Sequence, residues 1–274
     1  MITSLQNARV KHVAKLTKRR VRDEARQTVV EGVREISRAL ACGIIPDQAF
    51  VCLGLLPDNP TAKAALEHLN VLSDNDVIDL FQVTPEVFAR MAYRGESGGL
   101  LMVIPYQPHT FGALTESGPR FLALVEGVEK PGNLGAILRT ADAAGVDGVI
   151  VCSDTEQPTT DVHNPNVIRA SLGTLFSVPI VVTDTASATT WLHNNGVQIV
   201  AATPGASLVY SACDMTEPTA VALGSEAHGL SERLQQAADV SVTIPMYGIA
   251  DSLNLATSTA LMLYEVVRQR AIEG

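Results

Sequence analysis

From residue 120 onwards, short apolar runs alternate with segments of helical character, and this alternation limits the chain to an α/β fold. The apolar runs fall at residues 121–125, 148–152, 178–182, 197–201 and 220–223. Runs of this length are typical of strands that helices cover on both faces, as in parallel sheets. Helices are predicted near residues 166–172 and 186–195. We therefore predict a mostly parallel sheet covered by helices.

The first hundred residues repeat this alternation on a smaller scale. Helices are predicted near residues 4–22, 33–42, 61–69 and 84–93, and strands near residues 27–31, 49–53 and 99–104. A stretch rich in Pro, Gly, Ser and Thr follows, which is typical of a linker. We predict a small N-terminal α/β domain that binds the substrate at residues 1–105, a linker at residues 106–119 and a second domain at residues 120–274.

The composition argues against several classes of protein. The 274 residues contain no apolar stretch long enough to span a bilayer and no leading apolar run of the signal-peptide kind. The cysteines are scattered and form no C-x-x-C pair, so we expect neither a zinc site nor a disulfide framework. We expect a protein of the reducing cytoplasm with no metal and no membrane contact.

The charge is distributed unevenly along the chain. The net charge is −9, yet residues 1–40 contain ten Lys or Arg and only four Asp or Glu. A basic segment on an acidic protein is typical of a surface that binds a polyanion such as RNA. A solvated basic helix explains the same spacing equally well. The predicted RNA-binding residues of this segment are Lys11, Lys15, Lys18, Arg19 and Arg20, and Arg22 and Arg26 belong to the same basic cluster.

Three glycine-bearing segments of the second domain combine polar side chains with predicted turns. They are PGNLGAILRTA at residues 131–141, LGSEAHGLS at residues 223–231 and IPMYGIADSLNLATS at residues 244–258. The first follows a strand and opens a helix, a geometry that suits anions and polar cofactor groups. It is neither the G-x-G-x-x-G fingerprint of dinucleotide-binding proteins nor a P-loop. The third opens a long C-terminal helix, for which Asp251 or Ser252 is the predicted N-cap.

Each segment taken alone also has a purely structural explanation. Asn133 is a candidate N-cap, Arg139 a candidate solvent-facing helix residue and His228 a candidate exposed loop histidine. Arg169, in the sequence NPNVIRASLG at residues 164–173, is a further candidate for binding RNA phosphate, although a capped surface helix explains that segment as well. Only the three segments together point to a function.

Together, the three segments resemble, in order and approximate spacing, the three sequence motifs of the SpoU (TrmH) family in the SPOUT superfamily of methyltransferases. The resemblance covers roughly residues 116–272, and the first hundred residues resemble the substrate-binding extension of such enzymes. It implies S-adenosylmethionine as methyl donor and the 2′-hydroxyl of an RNA ribose as acceptor. It also implies a deep trefoil knot, which is rare among folds, and a homodimer with the active site near the subunit interface.

The resemblance implies roles for particular residues. The implied cofactor-binding residues are Thr203, Gly224, Ile244 and Leu253, which would contact the cofactor mainly through backbone groups. The implied catalytic residues are Asn133, Arg139, Glu226, Ser252 and Asn254. Lys130 departs from the family pattern, because an acidic residue is common before Pro-Gly-Asn.

The chemistry constrains the role of the arginine. Methyl transfer to a ribose hydroxyl needs an activated oxygen in line with the donor, and it requires no metal. An arginine is a poor general base, because its guanidinium stays protonated up to about pH 12. We therefore expect Arg139 to clamp the target phosphate or to stabilise the developing alkoxide. Glu226 and Asn254 are expected to fix the geometry of the loops.

The identity of the RNA rests on analogy. We predict ribosomal RNA, most of all 23S ribosomal RNA, because minimal tRNA-modifying relatives often lack an N-terminal extension. The alternatives are a tRNA 2′-O-methyltransferase and a catalytically silent RNA-binding or ribosome-assembly protein on the same fold. The presence of all five implied catalytic residues argues against a silent protein. The missing dinucleotide fingerprint argues against an oxidoreductase.

Overall fold

The computed structural model describes residues 1–93, 98–114, 120–154 and 160–273, which form two compact units. The first unit comprises Met1–Pro108 and Asp161–Ser177, and the second comprises His109–Thr160 and Val178–Gly274. Residues 115–119 of the predicted linker lie outside the described residues. The domain limits proposed from the sequence stay a prediction.

The first unit is a four-stranded mixed sheet with helices. Its strands are β1 (Gln27–Glu31), β2 (Gln48–Val51), β3 (Asp79–Gln82) and β4 (Leu100–Pro105), in the order β1-β4-β2-β3. The first five helices are α1 (Ala8–Lys15), α2 (Arg19–Ala25), α3 (Val33–Ala41), α4 (Pro60–Asp74) and α5 (Pro85–Met91). Strand β4 runs antiparallel to β1 and β2, whereas β2 and β3 are parallel. The prediction of a small α/β fold for this region is confirmed.

Two local predictions for this unit were wrong. The single helix predicted near residues 4–22 is divided into α1 and α2, because a turn interrupts it after Lys15. Strand β3 was missed because its ends, Asp79 and Gln82, are polar and exposed. The start of α5 was predicted correctly: Thr84 is its N-cap and accepts a hydrogen bond of 3.4 Å from the Val87 N–H.

The second unit contains a seven-stranded sheet in which every neighbouring pair is parallel. Its strands are β5 (Phe121–Glu126), β6 (Gly148–Ser153), β7 (Ile180–Asp184), β8 (Gln198–Ala202), β9 (Leu208–Val209), β10 (Thr219–Leu223) and β11 (Val240–Thr243), in the order β7-β6-β5-β10-β8-β11-β9. The five strands predicted from apolar runs are confirmed. Strand β9 was missed because it has only two residues. Strand β11 was missed because its apolar residues alternate with polar ones.

Four helices complete the second unit: α6 (Pro131–Ala144), α8 (Thr185–Asn194), α9 (Glu232–Ala237) and α10 (Leu255–Glu273). Helices α6 and α10 pack against each other. Leu122, Leu124 and Ile150 are fully buried in the sheet, and each such side chain contributes about 1.5–3 kcal/mol to folding. Within the part of the chain that the structure describes, no helix combines the length and apolar content needed to cross a membrane.

The segment Asp161–Ser177 follows β6 in the sequence but belongs to the first unit. It contains α7 (Pro165–Ala170), which packs against β1. The Thr28 hydroxyl donates to the His163 carbonyl at 2.6 Å, and Arg38 donates to the Leu172 carbonyl at 2.8 Å. The first unit is therefore built from two separate stretches of sequence. The trefoil knot implied by the resemblance stays a prediction.

Arg22 is a structural residue of this unit, although the sequence placed it in the basic cluster. Its side chain is only 2% exposed and forms an ion pair with Asp161. Its Nη1 donates to the carbonyls of Leu16 and Thr17 at 2.8 and 3.0 Å. Arg22 therefore cannot present its charge to a polyanion.

Replacing Arg22 is expected to destabilise the protein far more than replacing a surface arginine nearby. Arg22→Ala leaves the Asp161 carboxylate buried without its partner, which costs about 3–5 kcal/mol. Arg20→Ala is the matched control, because Arg20 forms only an exposed ion pair with Glu24 and should cost less than about 1 kcal/mol. Urea unfolding followed by circular dichroism measures both. Equal losses would contradict the structural role of Arg22.

Candidate active site

A cleft lies at the carboxyl ends of three neighbouring strands, β8, β10 and β11. Its volume is about 740 Å³, and all four predicted cofactor-binding residues line it: Thr203, Gly224, Ile244 and Leu253. Ser252, Asp251 and Glu226 also line the cleft. Ligands of parallel α/β sheets bind outside the carboxyl ends of the strands, so this is the expected place for a small-molecule site.

The parallel pairing of the strands brings these residues together. Each strand ends at the same edge of the sheet, and the chain turns there into a loop. Thr203 follows β8, Gly224 follows β10 and Ile244 follows β11. The Thr203 N–H donates to the Val242 carbonyl at 2.9 Å, which holds the ends of β8 and β11 side by side.

Gly224 is required where it stands, because the chain folds back onto it. A Cβ atom at this position would lie 2.0 Å from the Gly229 carbonyl carbon and 2.2 Å from the Leu230 nitrogen. Gly229 itself has a φ of +67°, which favours glycine. The segment between these two glycines therefore forms a tight loop that carries Glu226 at the cleft.

Glu126 fixes the far end of this loop. Its side chain is fully buried at the end of β5. It accepts hydrogen bonds from the Ser231 N–H at 2.6 Å, the Ser231 hydroxyl at 2.8 Å and the Thr185 hydroxyl at 2.5 Å. Ser231 is the N-cap of α9, so Glu126 connects β5 with the point at which the loop ends. This residue was not predicted from the sequence, since a carboxylate after an apolar run gives no sign of its partners.

Three of the five predicted catalytic residues form a hydrogen-bonded cluster next to the cleft. Glu226 Oε1 accepts from Asn133 Nδ2 at 3.1 Å and from Asn254 Nδ2 at 2.7 Å, while Asn254 Nδ2 also donates to Asn133 Oδ1 at 3.2 Å. Lys130 Nζ donates to the other carboxylate oxygen, Oε2. The hydrogen bonds from Lys130 and then Asn133 lower the pKa of Glu226 below its ordinary value. Glu226 is therefore held as an anion.

The two asparagines have helix-terminal positions that differ from the predicted ones. Asn254, rather than Asp251 or Ser252, caps α10: its Oδ1 accepts from the Ala256 N–H at 3.0 Å. Asn133 is the third residue of α6 and not its cap, because Lys130 precedes the helix and Pro131 begins it. The Asn133 side chain is thereby left for Glu226 and Asn254.

Two predicted catalytic residues stand apart from this cluster. Ser252 lines the cleft on the loop before α10. Arg139 is exposed on α6 and has no hydrogen bond or ion pair with any of the described residues. It follows Asn133 by six residues, about 240° around the helix at 3.6 residues per turn, so it points away from the cluster. The cleft of one chain therefore lacks this guanidinium.

Comparison with known proteins decides the family. Residues 120–264 match the SpoU rRNA Methylase family, and residues 7–101 match the MRM3-like substrate binding domain. The chain belongs to the SpoU rRNA methylase family. The first match contains the cleft and the cluster, and the second covers most of the first unit.

Solved structures and curated relatives agree with this assignment. A crystal structure of an RNA 2′-O ribose methyltransferase is 37% identical, with a TM-score of 0.82, over 98% of this chain and 99% of that one. An AdoMet-bound rRNA methyltransferase from Sinorhizobium meliloti is 30% identical, with a TM-score of 0.84, over 97% of each chain. The 23S rRNA (guanosine-2′-O-)-methyltransferase RlmB of Shewanella oneidensis is 40% identical over 151 residues, which are 55% of this chain and 60% of that protein.

The predicted RNA-binding residues of this SpoU family member divide into two groups, both in the first unit. Lys11, Lys15, Lys18, Arg19 and Arg20 are exposed on α1, α2 and the turn between them. Arg19 and Arg20 form surface ion pairs with Asp23 and Glu24, each at 3.5 Å. Such pairs are weak and leave both arginines able to exchange partners.

Arg169 lies on α7, separate in sequence from the basic N-terminus. Its guanidinium is 4.0 Å from the buried Glu31 carboxylate and is partly exposed. Arg34 and Arg38 of α3 are exposed in the same unit, and Arg38 donates to the carbonyl of Leu172, which follows α7. Neither was predicted from the sequence as a binding candidate, because only the fold brings α3 close to the residues that follow α7. In the described residues, no group of three or more His, Cys, Asp or Glu is arranged to hold a metal ion.

The packing of Gly224 predicts a specific loss of stability. Gly224→Ala places a methyl group against backbone atoms that cannot move independently, which should cost up to about 3 kcal/mol. Gly132→Ala is the control, because nothing lies within 4 Å of the position that its methyl group would take and alanine suits a helix better. Urea unfolding followed by the fluorescence of Trp191, the single tryptophan, reports on this unit. A Gly224 variant as stable as the control would contradict the close packing of the loop.

Proposed function

We propose that this protein transfers a methyl group from S-adenosylmethionine to the 2′-hydroxyl of a ribose in ribosomal RNA. The observation that carries the proposal is a convergence at one edge of the sheet. The four predicted cofactor-binding residues line a single cleft, and three of the five predicted catalytic residues form a cluster beside it. Membership of the SpoU family and the names of the relatives support the same reaction.

The cleft suits S-adenosylmethionine in size and chemistry. Its volume of about 740 Å³ is within the usual range of about 300–1,000 Å³ for small-molecule sites. Leu223 and Met246 provide apolar contacts, and the Asp251 carboxylate can balance positive charge on the cofactor. Backbone groups of the four predicted residues would hold it. When bound, the cofactor supplies a methyl group activated by a sulfonium.

The hydrogen-bonded cluster acts in our proposal by orientation and not as a base. Glu226 accepts from three donors, and its pKa is lowered first by Lys130, so it binds a proton weakly. It can hold the amides of Asn133 and Asn254 in one arrangement next to the reacting ribose. Arg139 then supplies the positive charge that stabilises the alkoxide or clamps the neighbouring phosphate. The C–O bond forms as the C–S bond of the sulfonium breaks, S-adenosylhomocysteine leaves, and the hydroxyl proton passes to solvent water.

We further propose that the active form is a homodimer. Arg139 lies outside the cleft of its own chain, so the Arg139 of a second copy is needed to complete the site. Leu261 and Tyr264 give α10 an apolar surface that is 38% and 48% exposed at these side chains. They are three residues apart and therefore share a face of the helix. Helix α10 packs on α6, which carries Arg139.

The RNA is proposed to bind the first unit. This unit matches a substrate-binding domain and carries the exposed cations of α1 and α2 together with Arg169. Ribosomal RNA is favoured by the names of two relatives, an rRNA methyltransferase and a 23S rRNA methyltransferase. Transfer RNA is the alternative substrate, and a silent RNA-binding protein is the alternative function. A cytoplasmic location stays a prediction.

Removing the Arg139 guanidinium should abolish methylation without loss of the cofactor site. We expect Arg139→Ala to lower the rate on ribosomal RNA at least about 100-fold, which corresponds to about 2.7 kcal/mol in the barrier. The dissociation constant for S-adenosylmethionine, measured by calorimetry, should change less than threefold. Arg233→Ala is the control, since Arg233 is an exposed arginine of the same unit and pairs with Asp154.

The methylated positions are mapped as 2′-O-methyl nucleotides in ribosomal and transfer RNA after reaction with the wild-type protein. A wild-type rate for Arg139→Ala would refute the role of this residue. Cofactor binding without methylation of either RNA would favour the silent protein. Methylation of transfer RNA alone would support the alternative substrate.

The basic residues of α1 and α2 should determine RNA affinity and its dependence on salt. Reversing Lys15, Lys18, Arg19 and Arg20 to Glu removes phosphate contacts, so RNA binding weakens and the slope of log K against log salt becomes shallower. Lys63→Glu is the control, because this exposed lysine lies elsewhere in the same unit and pairs with Asp58. Filter binding at several salt concentrations measures both. An unchanged slope would favour a solvated basic helix.

A further inference from the structure

Lys130 is a charged residue beside the cleft, next to Asn133 and Glu226, and the proposed reaction gives it no part in the chemical step. It directly precedes α6, and its side chain is 69% exposed, whereas that of its partner Glu226 is 29% exposed. Its ammonium contacts Oε2 of Glu226, while Oε1 is occupied by the amides of Asn133 and Asn254. Lys130 is therefore the side chain that completes the hydrogen bonding of this carboxylate.

We propose that Lys130 is a positioning residue of the methyltransferase site, which acts by holding the Glu226 carboxylate in a fixed and charge-compensated position between α6 and α10. This inference rests on the proposed function, because the positioned groups serve methyl transfer. Lys130 itself is not a catalytic residue. It acts only through Glu226.

The contacts give a continuous route from Lys130 to the cleft. Glu226 holds the Asn254 amide, and Asn254 in turn caps α10 through the Ala256 N–H. Ser252 and Leu253, the two residues before Asn254, line the cleft. Without Lys130, the carboxylate loses its ion-pair partner among the described residues and is freer to rotate away from Asn254. The loop before α10 would then lose part of its support.

Charge compensation is the second consequence of this contact. Glu226 is an anion close to the place where an RNA phosphate and a developing alkoxide would lie, and like charges repel. The Lys130 ammonium balances this charge. The other titratable groups of these segments are Glu129, next to Lys130, Asp251 on the loop before α10, and His228 on the loop of Glu226. Of the described residues, only Lys130 forms an ion pair with Glu226.

The first test measures Glu226 directly and needs no activity. Its side-chain carboxyl carbon is followed by NMR as the pH is lowered, in protein labelled with ¹³C-glutamate, and Glu226→Gln assigns the signal. Lys130 lowers the pKa of Glu226, so Lys130→Met should raise that pKa, whereas Lys130→Arg should keep it low. Lys63→Met is the matched control, since Lys63 is 70% exposed and pairs with Asp58. An unchanged pKa in Lys130→Met would overturn the proposal.

The second test separates a role through Glu226 from a direct contact with RNA. We expect Lys130→Met to lower kcat about tenfold, because the Glu226 carboxylate is then held less firmly. The loss should grow only as pH falls towards the ordinary pKa of a glutamate, about 4.3, where Glu226 of the variant takes up a proton. Lys130→Arg should restore most of the rate. The double variant Lys130→Met, Glu226→Gln should be no slower than Glu226→Gln alone, since Lys130 then has nothing to hold.

Each result that contradicts these expectations refutes a different hypothesis. Multiplicative losses in the double variant, or a raised KM and a shallower salt slope for Lys130→Met, would mean that Lys130 contacts RNA itself, and would overturn the proposal. A wild-type protein that methylates no RNA would refute the proposed function, while the NMR titration would still show whether Lys130 holds Glu226. A Lys130→Met variant with wild-type kcat at every pH refutes this inference alone.

Discussion

The parallel pairing of β5, β10, β8 and β11 is the constraint on which the candidate site depends. Because these neighbouring strands run in one direction, their carboxyl ends meet at one edge, and every loop that follows them starts there. Three of these loops carry the residues that line the cleft. The fourth strand, β5, leads into α6, which brings Lys130 and Asn133 to the same edge. An antiparallel sheet would send half of these loops to the opposite edge.

Two kinds of local interaction then fix the loops and side chains at this edge of the sheet. Close backbone packing at Gly224 shapes the loop that carries Glu226, and buried hydrogen bonds from Ser231 to Glu126 fix its far end. The polar cluster is built from amides and one ion pair, so its members orient one another. No strong base is required of Glu226, because a cation that stabilises the alkoxide lowers the barrier by another route. In the proposed reaction, the remaining group, a guanidinium, comes from a second copy of the chain.

Several features could be read from the sequence because they depend on neighbours in the chain. The long strands of the second unit are continuous apolar runs, and Thr84 before Pro85 marks a helix start by its own chemistry. Other features could not be read this way. Helix α9 has only six residues, and strands β9 and β11 are short and partly polar. Each of these elements is therefore stabilised by contacts with residues that are close in space and not by its own sequence. The sequence cannot separate Arg22 from the exposed arginines beside it, because its partner Asp161 is 139 residues away.

The sequence by itself determined the α/β class, the mostly parallel sheet and the identity of the three glycine-bearing segments, since these follow from apolar periodicity and from residues adjacent in the chain. Only the tertiary structure decided which polar atoms meet. It brought Lys130 and Asn133 to Glu226 and turned Arg139 away from this cluster. These partners lie far apart in the sequence: Lys130 and Glu226 are separated by 96 residues. No local sequence pattern encodes such a contact, because it exists only once the sheet has formed.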